Sequence, residues 1–323
     1  MSSNVRPISL SECADAILEV GSAAIVTHIR PDADTVGTAV ALCRLLTALG
    51  KDAALLPSDT IPERLAFLTE GVKTVTSADG RDVIACDVAS AAQLGELYAG
   101  LPEVYLTIDH HAVNAPFSRH YTVPTASSAA EVLFEITAEL SSRGKLVLTP
   151  ELAYPLYAAI SSDTGGFVFS SASPTTYRVA AALIETGIDF ADINHRLFQS
   201  KSREQLRAEG FIAEATVSSG SIAYAVITKA DRERLGIGNE HFETAIDIVR
   251  SLEGTEIAFT LKELDEGKYR VSLRSTGFNV ADVAAKFSGG GHIRAAGCTI
   301  VAPSPTAAAE TIISAINERK QES

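Results

Sequence analysis

Cysteine is scarce in this sequence of 323 residues, and its four copies are scattered along the chain. No two of them have the CxxC spacing that marks redox and zinc motifs. Cys43 and Cys86 lie within apolar runs and are predicted to be buried thiols. The pattern argues against a disulfide framework and favours a cytoplasmic protein.

Long hydrophobic runs are also missing. No apolar stretch reaches the roughly 20 residues that cross a membrane as a helix. The opening stretch, MSSNVRPISLSECADAI, has no apolar core of the kind found in signal peptides. We therefore expect no association with a membrane.

Basic residues are fewer than acidic ones: 27 Lys and Arg stand against 40 Asp and Glu, a formal net charge of −13. A protein that grips long duplex nucleic acid needs a basic surface to neutralise phosphates, so this balance argues against that class. The same charge balance is compatible with a small phosphorylated substrate that is held by a few local cations. If carboxylates cluster around divalent metal ions, the ions neutralise part of their charge. The formal charge would then overstate the negative charge of the metal-loaded protein.

Apolar residues, in contrast, make up 46% of the chain, enough for a substantial core, and the length suits two domains. In the first half, short apolar runs alternate with helical patterns. Strands are predicted at 23–29, 52–57, 82–87 and 103–109, and helices at 35–51, 61–71, 90–99, 127–144, 149–163 and 173–187. Strands without polar alternation that are separated by helices indicate an α/β fold with a mostly parallel sheet flanked by helices.

The pattern changes after residue 188. Residues 189–210 form the most polar long helical stretch and are interpreted as a linker helix. Beyond it, strands are predicted at 212–217, 221–227, 255–264 and 268–275, with helices at 239–253, 279–287 and 305–319. These strands are close enough along the chain for antiparallel pairing, which indicates a smaller α+β domain. The predicted organisation is 1–188, 189–210 and 211–323, with a cleft between the two domains.

Aspartate and histidine recur where the predicted strands of the first half end. His28, Asp32 and Asp34 follow the first strand, Asp87 ends the third, and Asp109, His110 and His111 end the fourth, while Asp163 stands shortly before Gly165 and Gly166. In an open α/β sheet, ligands bind outside the carboxyl ends of the strands. The spacing therefore predicts that these side chains meet in one crevice.

Imidazoles mixed with carboxylates suit Mn²⁺, with Mg²⁺, Co²⁺ or Zn²⁺ as alternatives. The candidate ligands are too many for one ion. Two ions about 3.5–4 Å apart, bridged by a carboxylate, activate water and stabilise the charge that builds up in phosphoester hydrolysis. Taken singly, Asp32 or Asp87 is more often a helix cap or turn residue, and His111 alone could be a loop histidine. Helix-capping and turn residues alone would not be expected to produce all four groups of aspartate and histidine in this order.

On these residues the chain resembles the DHH phosphoesterases that carry a C-terminal DHHA1 domain. The first motif of that family matches His28, Asp32 and Asp34, the second Asp87, the third Asp109-His110-His111, and the fourth Asp163. The resemblance implies one Mn²⁺ held by His28, Asp32 and Asp87, and another held by Asp34, Asp87, His110 and Asp163. It also implies that His111 donates a hydrogen bond or proton to the substrate and that Asp109 orients the histidines.

The second half carries the run GGGHIRAAG at 289–297. Its glycines permit close backbone approach to a phosphate or base, with N–H groups free to donate, although such a run is more often only a tight turn. The run resembles the substrate-recognition motif of DHHA1 domains. That resemblance implies substrate binding by Gly289, Gly290, Gly291, His292 and Arg294, together with Arg274 and Ser275 of SLRSTG.

Within the family, size and layout are most like the NrnA type, which degrades short oligoribonucleotides and often removes the 3′-phosphate of adenosine 3′,5′-bisphosphate. Short RNA or nucleotides, including linear dinucleotides such as pApA, are the expected partners, and a homodimer is plausible. Gly166 and Val168 depart from the serine and arginine common there, which bears on substrate recognition and not on the metals. The alternatives are a manganese inorganic pyrophosphatase and a nucleotide-binding sensor without turnover.

Overall fold

The computed structural model describes residues 5–322, except for the side chains of His292 and Glu322. It divides into two compact units, the first ending at Ser200 and the second beginning at Lys201. The strands of the first unit are β1 (Ser22–Val26), β2 (Asp52–Leu56), β3 (Asp82–Cys86), β4 (Val104–Asp109) and β5 (His120–Thr122). Its α-helices are α1 (Leu10–Glu19), α2 (Ala33–Ala48), α3 (Ala129–Ser142), α4 (Pro150–Asp163), α5 (Pro174–Glu185) and α6 (Phe190–Asn194).

The first sheet is parallel throughout, in the order β2-β1-β3-β4-β5. Along β1, Ala23 and Ile25 pack into the core under the α-helices, while Ala24 and Val26 pack on the opposite face. Both faces are thus covered, which is why the strands carry no polar alternation. The predicted fold class is confirmed. Strand β5 was not predicted from the sequence, because only three residues, HYT, pair with β4.

Strand order places a topological switch at β1. The chain leaves β1 for β2 on one side and returns to β3 on the other side. Loops after β1 and β3 therefore diverge and open a crevice at the carboxyl edge of the sheet. The segments predicted as helices at 61–71 and 90–99 are 3₁₀-helices, at Glu63–Leu68 and Ala91–Gly100.

Helices α2 and α4 approach each other closely below this edge. A Cβ on Gly37 would lie 2.7 Å from the Pro155 carbonyl oxygen and 2.9 Å from the Ala159 Cβ, so only glycine fits. Pro155 has no N–H for the carbonyl of Glu151, four residues earlier. The Arg44 guanidinium of α2 donates to that carbonyl at 2.6 Å and satisfies it.

The second unit holds a mixed sheet in the order β10-β11-β9-β8-β7-β6. Its strands are β6 (Val217–Ser219), β7 (Ile222–Ile227), β8 (Ile257–Asp265), β9 (Lys268–Ser275), β10 (Gly290–His292) and β11 (Ala295–Val301). Its α-helices are α7 (Arg203–Ala215), α8 (Lys229–Leu235), α9 (Ala245–Arg250), α10 (Val280–Ala285) and α11 (Pro305–Glu322). Apolar cores lie on both faces, one under α10 and α11 and the other under α7 and α9.

Several expectations for this half need correction. The strand predicted at 212–217 is mostly the end of α7, because Ala208 and Ile212 continue a helical apolar face. Strands β7 and β8 pair in parallel, since α8 and α9 cross over between them. Residues 189–210 are not one helix: α6 is followed by a π-helical turn at His195–Gln199, and α7 begins only at Arg203. The predicted domain limits themselves stay a prediction.

The four cysteines, Cys13, Cys43, Cys86 and Cys298, are buried and free. Burial raises the pKa of the Cys13 and Cys43 thiols to about 12. The prediction that Cys43 and Cys86 are buried thiols is therefore confirmed, and the cytoplasmic setting stays a prediction. Among residues 5–322, no helix has both the length and the apolar character needed to cross a bilayer.

Replacing Gly37 by alanine should destabilise the first unit. The added methyl group must push α2 and α4 apart, so we expect the free energy of unfolding to fall by about 1–3 kcal/mol. Urea unfolding of the metal-free chain, followed by circular dichroism, measures the change. Gly21→Ala is the matched control because nothing lies within 4 Å of its Cβ position. Equal stability of the two variants would contradict the close packing.

Candidate metal centre

The functional side chains come from loops and element ends at the carboxyl edge of the first sheet. His28 lies two residues beyond β1, Asp87 directly follows β3, and Asp109 is the last residue of β4. Asp32 and Asp34 open α2, and Asp163 is the last residue of α4. The sheet thus brings segments together that lie far apart along the chain.

Within this crevice, three groups of donor atoms each lie within 4.8 Å of one another. They are His28, Asp32 and Asp87; Asp34, His110 and Asp163; and Asp87, His110 and His111. The structure therefore brings together all six residues proposed as metal ligands, with His111 beside them. Which of them bind metal stays a prediction.

Asp87 occupies the middle of the cluster. It is buried, with only 3% of its surface exposed, and its backbone has the left-handed φ of 59° that side-chain-bearing residues seldom adopt. Its Oδ2 lies 3.4 Å from His28 Nε2, and its Oδ1 lies 3.6 Å from His110 Nε2. Among the described residues, Oδ1 has no hydrogen-bond partner. A buried carboxylate oxygen without a donor calls for a cation.

Asp34 is anchored by the beginning of another helix. Its carboxylate accepts hydrogen bonds from the Ala129 N–H at 2.7 Å and the Ala130 N–H at 3.2 Å, both in the first turn of α3. Thr38 Oγ1 donates to the same carboxylate at 3.1 Å. The N-terminus of α3 therefore stabilises the anion that it faces. Sequence reasoning missed these donors, because backbone N–H groups leave no signature in the residue types.

Asp32 serves as the N-cap of α2. Its Oδ1 accepts hydrogen bonds from the backbone N–H groups of Asp34 and Thr35 at 3.0 and 3.1 Å. The capping interpretation was therefore right, yet Asp32 also lies 3.7 Å from His28 Nε2 within the first donor group. The same oxygen, Oδ1, makes both contacts, but a carboxylate has about four lone-pair sites, so capping and metal binding do not exclude each other.

Backbone carbonyls orient two of the histidines. His28 Nδ1 lies 2.9 Å from the Ile29 carbonyl oxygen, and His110 Nδ1 lies 3.3 Å from that of Ala126. A carbonyl only accepts, so each Nδ1 carries a proton and each Nε2 faces the carboxylates. This is the arrangement in which an imidazole presents Nε2 to a metal ion.

His111 is held differently. Its Nδ1 donates to Asp109 Oδ1 at 2.7 Å, and its backbone N–H donates to the same oxygen at 3.2 Å. Burial opposes the charged form of His111, but the hydrogen bond to Asp109 and the charge of Asp87 outweigh it and raise the pKa of the imidazole. The hydrogen bond from His111 likewise outweighs burial at Asp109 and lowers the pKa of that carboxyl.

Excess negative charge dominates the electrostatics of the cluster. Burial, together with the charge of Asp87, raises the pKa of Asp34 to about 7, and burial with the same crowding raises that of Asp163 well above its usual range. Burial would lower the pKa of His28, but Asp32 and Asp87 raise it to about 11. Protons thus balance charge that divalent cations could balance instead. The donor set fits metal ions.

The residues proposed to bind substrate lie together in the second unit. Arg274 of β9 is paired with Ala295 of β11, and the Ser275 N–H donates to the Arg294 carbonyl at 3.1 Å. Burial lowers the pKa of the Arg274 guanidinium. The side chain of His292 lies outside the described part of the chain. The role of these residues stays a prediction.

The glycine run needs a correction. It was expected to be a loop with free N–H groups, but Gly290–His292 form strand β10 and pair antiparallel with β11. A Cβ on Gly289 would collide with the Gly297 carbonyl oxygen, and one on Gly291 would collide with that of Ala295. Two of the three glycines are therefore required for close backbone packing in the hairpin. Gly290 alone has open space at its Cβ position.

Comparisons with known proteins agree with this architecture. Residues 22–160 match the model of the DHH family, N-terminal domain, and residues 219–322 match the model of the DHHA1 domain. The bifunctional oligoribonuclease and PAP phosphatase NrnA of Thermus thermophilus is 29% identical over 303 residues, which cover 91% of this chain and 89% of the relative. The protein of the same description from Bacillus subtilis is 27% identical over 277 residues, covering 84% and 87%.

A solved structure extends the likeness to the fold. The crystal structure of an exopolyphosphatase-related protein from Bacteroides fragilis has a TM-score of 0.86 at 22% identity, over 97% of this chain and 96% of that chain. The resemblance drawn from the four motifs and the glycine run is confirmed. The chain thus combines a DHH-family domain in its first unit with a DHHA1 domain in its second.

Proposed function

We propose that this protein is a manganese-dependent phosphoesterase that hydrolyses short oligoribonucleotides, including dinucleotides such as pApA, and removes the 3′-phosphate of adenosine 3′,5′-bisphosphate. The observation that carries the proposal is the convergence of imidazoles and carboxylates around the buried, unpaired oxygen of Asp87. The substrate class is supported by the relatives from Thermus and Bacillus, which are named as oligoribonucleases and PAP phosphatases.

Two ions fit the donor set better than one. His28, Asp32 and Asp87 would hold the first, and Asp34, Asp87, His110 and Asp163 the second, with Asp87 shared. Mixed nitrogen and oxygen donors suit Mn²⁺. When bound, two such ions lower the pKa of water and stabilise the negative charge on a reacting phosphate.

The protein supplies orientation and a proton donor. Asp109 fixes His111 with Nδ1 protonated, so Nε2 is the nitrogen left to meet the substrate. The hydrogen bond to Asp109 favours the imidazolium form, which can donate a proton to the departing oxygen. Asp34, tied to the N-terminus of α3, keeps its geometry while charge shifts during the reaction.

Substrate recognition would fall to the second unit. Arg274 is a guanidinium in an acidic chain and is suited to bidentate binding of a phosphate. We propose that Ser275, the run Gly289–Gly291, His292 and Arg294 contact the substrate with it. A cytoplasmic location and a homodimer stay predictions.

Hydrolysis of a matched substrate panel tests the proposed function. Metal-stripped protein, with and without added Mn²⁺, is offered pApA, a five-residue RNA, adenosine 3′,5′-bisphosphate and pyrophosphate. We expect Mn²⁺-dependent release of mononucleotide and, from the bisphosphate, of phosphate. The variant Asp87→Asn should lose activity at least about a thousandfold, because both ions lose their shared ligand.

The control variant is Asp82→Asn, at the opposite end of the same strand, and it should retain activity. If pyrophosphate is the only member of the panel that is hydrolysed, the proposed substrate class is wrong and the protein is a pyrophosphatase. A folded Asp87→Asn variant with substantial turnover would defeat the two-ion scheme.

His111 and His110 should respond differently to substitution by glutamine. His111→Gln removes the proton donor and should lower kcat about 10²–10⁴-fold while the chain still binds two Mn²⁺. His110→Gln removes a ligand and should lower the number of bound ions. Equilibrium dialysis with metal analysis separates the two effects. Loss of an ion in His111→Gln would make His111 a ligand instead of a donor.

Substitution of Arg274 should affect binding more than chemistry. Arg274→Ala is expected to raise KM for pApA about tenfold or more and to change kcat little, because the residue lies outside the metal cluster. Steady-state kinetics measures both constants. Lys268→Ala removes an exposed cation at the far end of the same strand and should leave KM unchanged. An unchanged KM in Arg274→Ala would show that Arg274 does not contact substrate.

A further inference from the structure

A patch of apolar side chains, of which three are exposed and Phe167 is half-buried, follows Asp163. It consists of Phe167, Val168, Tyr177 and Phe198, and we call it the aromatic shelf. Val168 is 79% exposed, Tyr177 54% and Phe198 37%. None of the roles proposed above uses Phe167, Tyr177 or Phe198. Large apolar groups gathered at the surface of a protein commonly mark a binding site.

A tight turn connects the shelf to the metal centre. Asp163 ends α4, and the next residues reverse direction through Gly165 and Gly166, whose φ values are 59° and 70°. The Gly166 N–H donates to the Ser161 carbonyl at 2.7 Å, which folds the turn back onto the helix. Phe167 then also has a left-handed φ, of 67°, a strained conformation for a residue with a bulky side chain.

A second, independent link joins Tyr177 to the same centre. Its neighbour Thr176 donates through Oγ1 to the buried carboxylate of Glu131 at 2.8 Å. Glu131 stands in the first turn of α3, the turn whose N–H groups hold Asp34. The beginning of α5 is therefore fixed against the beginning of α3, beside a proposed metal ligand.

The shelf is ordered by its own contacts. The rings of Phe167 and Tyr177 have centroids 5.5 Å apart, and the Tyr177 hydroxyl donates to the Phe167 carbonyl at 3.0 Å. Buried Tyr157 packs beneath, with its centroid 5.9 Å from that of Phe167. The Phe198 ring lies 3.6 Å from the Cβ position of Gly166, so glycine leaves the ring uncovered there.

We propose that the aromatic shelf stacks the heterocyclic base of the nucleotide whose phosphate lies at the metal centre. The inference rests on the proposed function and adds a base-binding subsite in the first unit. Flat, exposed rings beside a phosphate-binding site match the shape of a nucleotide. The only hydroxyl on the shelf already donates to Phe167, so stacking without hydrogen-bonded readout should make binding tolerant of base identity.

Binding of adenosine 5′-monophosphate and of ribose 5-phosphate, which lacks the base, tests the inference without requiring turnover. Both are titrated calorimetrically into the Mn²⁺-loaded protein. The wild type should bind the nucleotide more tightly. Phe198→Ala and Tyr177→Ala should each weaken nucleotide binding at least about fivefold and leave binding of the sugar phosphate unchanged. Phe198→Tyr and Tyr177→Phe retain the rings and should retain the affinity.

Tyr98→Ala is the matched control. Tyr98 is also exposed, at 42%, but it lies near the end of the 3₁₀-helix that leads back toward the start of β4, away from the carboxyl edge. Its removal should change neither affinity. Cytidine 5′-monophosphate should lose affinity in the shelf variants by a similar factor to the adenosine nucleotide. Thermal melts verify that each variant is folded. If Phe198→Ala does not fold, Phe198→Leu takes its place as the variant without an aromatic ring.

Three outcomes would overturn the inference: a wild type that binds both ligands equally, shelf variants that weaken both ligands equally, or variants that change the oligomeric state alone. The last would make the shelf a contact between copies of the chain. The proposed function fails separately, if the wild type cleaves none of the short RNAs. If the wild type binds the nucleotide more tightly than the sugar phosphate but cleaves no RNA, the base-binding role of the shelf stands. The protein would then be a nucleotide sensor and not a hydrolase.

Discussion

Repulsion among carboxylates that share one small crevice is the constraint on which the site depends. Asp32, Asp34, Asp87 and Asp163 lie around the same three imidazoles, and the burial of Asp34 and Asp87 makes the mutual repulsion costly. Protons can relieve the repulsion, as the raised pKa values of Asp34 and His28 indicate. Divalent cations relieve it more completely, because one ion neutralises two carboxylates at once.

Helix N-termini provide the permanent part of that compensation. Asp32 caps α2, and Asp34 accepts two N–H groups from the first turn of α3. Both carboxylates are thereby fixed in position, so little entropy would be lost on ordering them if they hold the proposed ions. Asp87 lacks such support at Oδ1, and its backbone is held in the left-handed region. The strained, unsatisfied residue is thus the one that two ions would share.

Sequence reasoning succeeded where residue type alone determines the outcome. The apolar runs located β1 to β4, and the aspartates and histidines at strand ends were predicted to meet because parallel strands end at one edge. It failed where backbone geometry decides. The GGGH run forms a paired strand whose glycines avoid collisions, and a pattern of glycines cannot distinguish that from an open loop. It also missed Glu131, a buried carboxylate whose partners, Ser127 and Thr176, are uninformative as residue types.

The proposed activity on phosphates meets a difficulty at long range in a strongly acidic protein, since the field of the protein repels the ligand. The proposed metal ions would remove negative charge only at the centre itself, and the formal net charge of the whole chain is −13. Besides local cations such as Arg274, contacts that are indifferent to that field would therefore contribute to affinity. An apolar surface such as the aromatic shelf meets this requirement, because stacking does not depend on the sign of the surrounding charge. A site of this kind would favour ligands that combine one phosphate at the centre with a flat ring beside it. For a long polyanion, the repulsion of its additional phosphates would exceed the gain from stacking.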